Sequence, residues 1–290
     1  MGPTPDRYTR EQGSMSIYAD LSSVLGMLQA WEFLAIKLIS VPIFILTISM
    51  VAHRWGPSVG GVVLGLPLTS GPILFFLALE QGTSFAAAAA LGTLIGFISL
   101  AASCVVFSWL SFRLGWLSCL IGCCVIFFTM TLILNFVSIP SVLSLVGVVA
   151  FLVLICRIFP SGALGSISRK SARWEIPARM IAATGLVLLI TGTASILGPR
   201  LSGLLTPFPV YATVMGVFML KSDGPQVSAL FLRGVIIGCL STSVFLFLIA
   251  SFIVSLGLVA VFALAVVVVI TIHSVLLYSV NGNKRLLGIH

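Results

Sequence analysis

Gly56-Pro57-Ser58-Val59-Gly60-Gly61, running on to Leu66-Pro67-Leu68-Thr69-Ser70-Gly71-Pro72, lies in apolar sequence yet is crowded with residues that break helices. A second stretch answers it: Gly198-Pro199-Arg200-Leu201-Ser202-Gly203, running on to Thr206-Pro207-Phe208-Pro209. Gly56, Pro57, Gly61 and Pro67 each recur as the same residue type 142 positions later, at Gly198, Pro199, Gly203 and Pro209. A duplicated, interrupted apolar helix is the pattern from which the rest of the chain is read.

Composition sets the class. The chain has 290 residues, 59% of them hydrophobic and only 8% charged, against about 25% charged in soluble domains. Leu38 to Ala52 and Val244 to Tyr278 contain no Asp, Glu, Lys or Arg. A bilayer core of about 30 Å takes roughly 20 apolar residues per helix, so the expected fold is an all-α polytopic membrane protein. Continuous rather than alternating apolar runs argue against a β-barrel. The net charge of +8 reflects basic loops rather than nucleic-acid binding. The expected partners are the lipid bilayer and a small solute or ion, and homodimerisation is compatible with the sequence without being demanded by it.

Nine spans are expected, near 31–53, 56–80, 84–112, 115–137, 140–158, 175–197, 199–221, 225–254 and 257–280. Trp31, Trp55, Trp109, Trp116 and Trp174 fall at or near span ends, where indoles favour the headgroup region. With nine crossings, one side receives Arg54, Arg113, Arg157, Arg169, Lys170, Arg173, Lys221, Lys284 and Arg285, and the other Arg7, Arg10 and Arg200. The richer side is read as cytoplasmic in a cell (bacterial inner) membrane, with the N-terminus outside and the C-terminus inside.

The offset of 142 also pairs Gly82 with Gly224, Gly92 with Gly234, Gly96 with Gly238, Gly115 with Gly257, Thr129 with Thr271, Phe76 with Phe218, and Lys37 with Arg179. One period holds five crossings, so the second copy is expected upside down, as an inverted 4+1+4 repeat. The organisation is then a polar N-terminal segment with an interfacial helix (1–30), a first repeat of four spans (31–137) and a linking span (138–159). A basic cytoplasmic loop (160–174), an inverted repeat (175–280) and a cytoplasmic tail (281–290) follow. Residues 1–30 lack the pattern of a signal peptide, and Met15 is an alternative start. Re-entrant Gly-Pro segments would instead give parallel copies. That arrangement splits the basic residues more evenly and ranks second.

Pro67 and Pro209 lie ten residues past the Gly-Pro that opens each interrupted span, or about 15 Å along a helix. Each break is thus expected near mid-membrane. Freed backbone groups there need protein, water or substrate as partners. Thr206-Pro207 reads as an N-cap followed by proline at the first helical position, with Thr69, Ser70 and Gly71 before Pro72 in the matching role. Restarted half-helices would aim amides and positive dipole ends at a guest. Tyr211 and Thr213 follow the second break and are read as lining the same cavity, as are Ser241, Thr242 and Ser243. Pro67, Pro72 and Pro209 are the expected hinges. Gly92-x-x-x-Gly96 and Gly234-x-x-x-Gly238 are expected to pack closely against the broken helices.

Lys37 and Arg179, one to two turns inside their spans, are candidate anion ligands. The competing reading is snorkelling or pairing with Glu32 and Glu175. Arg200 stands beside the second break. Glu80 and Asp223 end the two broken spans and are candidate coupling or gating groups, as is His273, which stands where the first half has Thr131.

No Walker motif, His-Glu-x-x-His or Gly-x-Ser-x-Gly is present, so no enzyme is expected. Six cysteines in apolar runs show no metal spacing, and neither metal nor cofactor is expected. The function expected is a secondary transporter working by alternating access, with a small anionic or carboxylate-bearing solute. Protons are favoured over sodium for coupling, because no Asp or Glu lies deep in a span. The alternatives are a channel or passive facilitator and, behind it, an intramembrane lipid-handling protein.

Overall fold

A computed structural model describes residues 39, 42–67, 70–136, 140–160, 175–194 and 208–282. These form ten helices, with no strand among the described residues. They are α1 (42–55), α2 (Pro57–Leu64), α3 (Ser70–Gln81), α4 (Thr83–Ser111), α5 (Trp116–Asn135), α6 (Ser141–Ile158), α7 (Glu175–Ala194), α8 (Val210–Ser222), α9 (Pro225–Leu256) and α10 (Leu258–Gly282). The 1–30 segment, Lys37, Thr69, the 161–174 loop, Arg200, Thr206, Pro207 and the tail from 283 lie outside the described residues.

Five helices are long and apolar enough to cross a membrane: Thr83–Ser111, Trp116–Asn135, Ser141–Ile158, Pro225–Leu256 and Leu258–Tyr278. Each lies within two residues of an expected span. Interrupted helices are short: α2 has 8 residues, α3 12 and α8 13.

α4 and α9 form the centre. They pack on each other, and both pack on α6. Around them, α4 carries α3 and α5, while α9 carries α2, α8 and α10. Small residues let α4 sit there: Ala86, Ala89, Ala90, Gly92, Gly96, Ser99, Ala101 and Ser103 are all buried. Between apolar helices in lipid, close packing replaces the hydrophobic effect as the drive to associate.

The outer helices show two apolar faces. On α5, Cys119, Cys123, Phe127 and Thr131 are buried, while Leu117, Ile121, Val125, Phe128 and Leu132 are exposed. An outward stripe of that kind belongs against acyl chains rather than water. On α10 the buried stripe is Val261, Ala265, Val269 and His273. Each member lies 142 residues after one of the α5 stripe. Helix starts keep the same offset: Thr83 to Pro225, and Trp116 to Leu258. Gly82 and Gly224 cap their helices with φ of 90° and 92°, a conformation that disfavours any residue with a Cβ.

Contacts fix the relative directions. α4 and α5 form a hairpin, with Gly122 against Leu110 and Val106. α5 runs antiparallel to α8: the Lys221 ammonium lies 4.0 Å from the Trp116 ring centre, and Phe127 stacks edge-on against Phe208 at 5.0 Å. α8 and α9 form another hairpin, held by Ser228 Oγ donating to the Gly216 carbonyl (2.8 Å). It follows that α4 and α9 run in opposite directions.

Candidate functional site

The first interruption begins earlier than Pro67. α2 stops at Leu64, Gly65 caps it, and α3 starts at Ser70. The Gly65 and Leu66 amides still donate to carbonyls of the last turn of α2. The Gly65 carbonyl takes its hydrogen bond from Thr242 Oγ1 on α9 (2.5 Å), so protein satisfies a group that the break sets free.

Two glycine pairs make this approach feasible. Gly61 and Gly65 of α2 face Gly234 and Gly238 of α9. A Cβ on Gly65 would lie 2.5 Å from the Gly238 Cα, and one on Gly61 would overlap the Phe231 carbonyl oxygen. The small-residue face of α9 therefore packs against the broken helix as its spacing predicts. The complementary four-residue spacing, Gly61 to Gly65, was equally legible, and Pro67, on which the sequence centres the break, lies midway between the end of α2 at Leu64 and the start of α3 at Ser70.

Past the break, Ser70 and Gly71 are buried at the start of α3. The Gly71 amide donates to the Pro67 carbonyl (2.9 Å), and Phe245 of α9 lies against Gly71. Pro67 is half-buried and Pro72 faces outward. Glu80 lies in the last turn of α3.

In the second segment α8 starts at Val210, with Pro209 as its N-cap; Thr206 and Pro207, the expected cap and first helical residue, lie outside the described residues. Proline at 209 disfavours helical backbone at Phe208, which helps place the helix start after it. Pro209 is buried and Phe208 leans on Phe127 and Phe128 of α5. Thr213 Oγ1 is turned back to the carbonyls of Pro209 (2.6 Å) and Val210 (3.0 Å). α2 and α8 touch, so parts of the two segments related by the 142-residue offset meet.

Arg179 is buried, 7% exposed, in the first turns of α7. Its Nη1 lies 3.5 Å from Ser49 Oγ of α1 and 3.8 Å from Met215 Sδ of α8, and its guanidinium stands 5.6 Å from the Phe218 ring centre. Tyr211, Met215 and Phe218 fall at one-turn intervals along α8, with Tyr211 edge-on to Phe44 of α1 at 6.2 Å. Arg179 and Tyr211 therefore share the side of α8 that faces α1. Met215 is six residues past Pro209, or about 9 Å along the helix. The sequence suggested Arg179 but not Ser49, Met215 or Phe218. A serine and a methionine in apolar helices carry no signal until the neighbouring helix is placed.

Asp223 caps α8 at its C-terminus and is half-buried, its amide donating to the Met219 carbonyl (2.8 Å). His273 is buried in α10, with Nδ1 2.9 Å from Ser241 Oγ. Ser243 bonds back to the Cys239 carbonyl, inside its own helix. The cysteines among the described residues are free thiols, four of them fully buried as packing residues. No grouping of metal-ligating side chains occurs among the described residues.

No protein-family model matches this sequence, and no curated protein or solved structure is significantly similar to it.

Proposed function

We propose that the protein is a secondary transporter of small anionic or carboxylate-bearing solutes, built as an inverted 4+1+4 repeat in a cell membrane. One observation carries the reading. In the first of the two segments related by the 142-residue offset the helix breaks between α2 and α3, in the second Pro209, the counterpart of Pro67, caps the start of α8, and α2 and α8 touch. Broken helices that meet inside a repeat fold supply the half-helix ends that hold a solute.

Inversion is supported by the opposite directions of α4 and α9, which the offset relates. It is supported again by α6, which packs on both. The Trp116–Lys221 contact favours Gly-Pro segments that cross fully, because re-entrant segments would put these two residues on opposite faces. Anion preference is supported by the buried Arg179 guanidinium beside α8, together with the start of that helix. In this proposal the solute contacts Ser70 and Gly71, the start of α8 and Tyr211, and Arg179 draws the negative charge inward.

The test uses purified protein and a panel of carboxylates, phosphates and inorganic anions, with neutral and cationic controls. A ligand of the folded state raises its melting temperature. Solutes that do so are then followed into proteoliposomes. Saturable flux with counterflow is the expected result. Failure of every anion in both assays ends the anion reading, and flux that never saturates points to a passive pore instead.

A further inference from the structure

We propose that His273 Nε2 is a proton-binding site, and that Ser241 and Thr242 transmit its charge state to the break in the first half.

The protein contains its own control. In the first half, Thr131 Oγ1 of α5 donates to Ser99 Oγ of α4 at 3.1 Å. In the second half the residues 142 positions later, His273 of α10 and Ser241 of α9, make the corresponding contact at 2.9 Å. A hydroxyl pair is enough to join the helices at this point. The imidazole adds a second nitrogen that the contact does not use. His273 is 3% exposed, and its Nε2 is buried without a hydrogen-bond partner among the described residues. A buried polar atom left in that state is destabilising, a cost that an apolar residue or a threonine avoids.

α9, α2 and α3 pack against α10. α2 carries no titratable side chain. α3 carries Glu80 in its last turn, and α9 carries Arg233, eight residues before Ser241, and the Cys239 thiol. α10 adds Tyr278. The only hydrogen-bonding neighbour of the imidazole among the described residues is Ser241. Among the described side chains no carboxylate bonds the imidazole, so a proton arriving at Nε2 meets none there that would hold it permanently.

The link to the break follows from counting protons. Ser241 Oγ lies 2.8 Å from the Gly238 carbonyl and 2.9 Å from His273 Nδ1, and it has one proton to give. With neutral His273, the hydroxyl donates either to the carbonyl or to Nδ1. When a proton from water binds the free imidazole nitrogen, both ring nitrogens carry hydrogen. Nδ1 then donates to Ser241, and the hydroxyl is committed to Gly238. Gly238 packs against Val62 of α2 and its cap Gly65, and Thr242, the residue after Ser241, holds the Gly65 carbonyl. Protonation thus fixes the hydrogen bonding of the turn of α9 on which the broken helix rests.

The sequence has three histidines, His53, His273 and His290, so the imidazoles can be followed individually. Protein labelled with 15N-histidine in lipid nanodiscs is titrated, and His273→Thr, which restores the Ser–Thr pair of the first half, assigns the signal. The expected result is a reversible change of the His273 nitrogens to the doubly protonated pattern as the pH is lowered across the range in which the protein stays folded. Amide exchange of residues 62–67 should change over the same range in the parent and not in His273→Thr. His273→Gln, which keeps a buried amide, should behave like the threonine variant. An imidazole that stays neutral throughout overturns the site, and titration without a change at 62–67 overturns the link. The inference takes its purpose from the transporter reading but not its measurement. Solute flux with a silent His273 would sink this inference alone, and a titrating His273 without flux would sink transport alone.

Discussion

Ser241 Oγ and His273 Nδ1 lie 2.9 Å apart between α9 and α10, and 142 residues earlier Ser99 and Thr131 join α4 to α5 in the same way. The two pairs should not respond alike to losing the serine. Ser99→Ala leaves Thr131 free to bond its own helix one turn back, so a loss of about 0.5–1.5 kcal/mol is expected. Ser241→Ala strands an imidazole with neither nitrogen partnered and should cost more, about 1–3 kcal/mol. Melting temperatures of the two variants in one detergent compare them, and an equal or reversed order would contradict the geometry.

Thr242→Val should release the Gly65 carbonyl into an apolar contact while keeping the side-chain shape. The expected cost is about 1–3 kcal/mol, with faster amide exchange across residues 62–67. Thr242→Ser keeps the donor and should recover most of the loss. If valine and serine behave identically, the hydroxyl does not support the break.

Gly65→Ala and Gly238→Ala each push a methyl into the opposing backbone, where neither side chain can move aside. Overpacking of this kind costs about 1–3 kcal/mol. Gly147, on α6, has open space around its Cβ position. Gly147→Ala should be neutral or stabilising, by up to about 1 kcal/mol from helix propensity. Thermal unfolding of the three variants checks the contrast.

Arg179→Gln should weaken binding of an anionic solute by at least about tenfold, equivalent to roughly 1.4 kcal/mol. Arg179→Lys keeps the charge but loses the planar fork, and should fall between the two. Isothermal titration with whichever solute first stabilises the protein gives both numbers. Unchanged affinity in Arg179→Gln would assign the guanidinium to packing.

Trp116 and Lys221 are in contact, so cysteines placed at these positions should react with a membrane-impermeant reagent from one face. A cysteine at Trp55, exposed just before α2, should react from that same face, and one at Gln81, exposed at the far end of α3, from the other. Labelling of positions 55 and 81 from a single face would rule out full crossing by the α2–α3 segment.

Much of the fold could be read directly. Gly82, Gly115, Gly224 and Gly257 sit immediately before long helices, and apolar runs between them have membrane length, so the start of α9 at Pro225 and the end of α6 at Ile158 follow from the sequence. The inner stripes of α5 and α10 were less visible. Cys119, Cys123, Phe127 and Thr131 share almost no residue type with Val261, Ala265, Val269 and His273. In lipid both faces of a helix are apolar, so composition does not tell inside from outside. The place of the break was legible from Pro67, which lies midway between α2 and α3, but the role of Gly65, which caps α2 where α9 approaches closely, was not. Arg179 stood out because a charge in an apolar run is costly. Its neighbours on α1 and α8 did not, being ordinary residues until helices from distant parts of the chain are brought together.

The seating of α2 on α9 also constrains how this molecule can move. α2 belongs to the first half and α9 to the second, yet they are fitted main chain to main chain. A motion that separated the halves as two blocks would have to pull that joint apart. In the proposed transport cycle the mobile boundary therefore runs within each half, leaving α2, α4 and α9 as a common chassis. Tethering α2 to α9 with a short crosslink should then leave the working cycle intact, whereas a crosslink from α9 to a helix outside the chassis should arrest it.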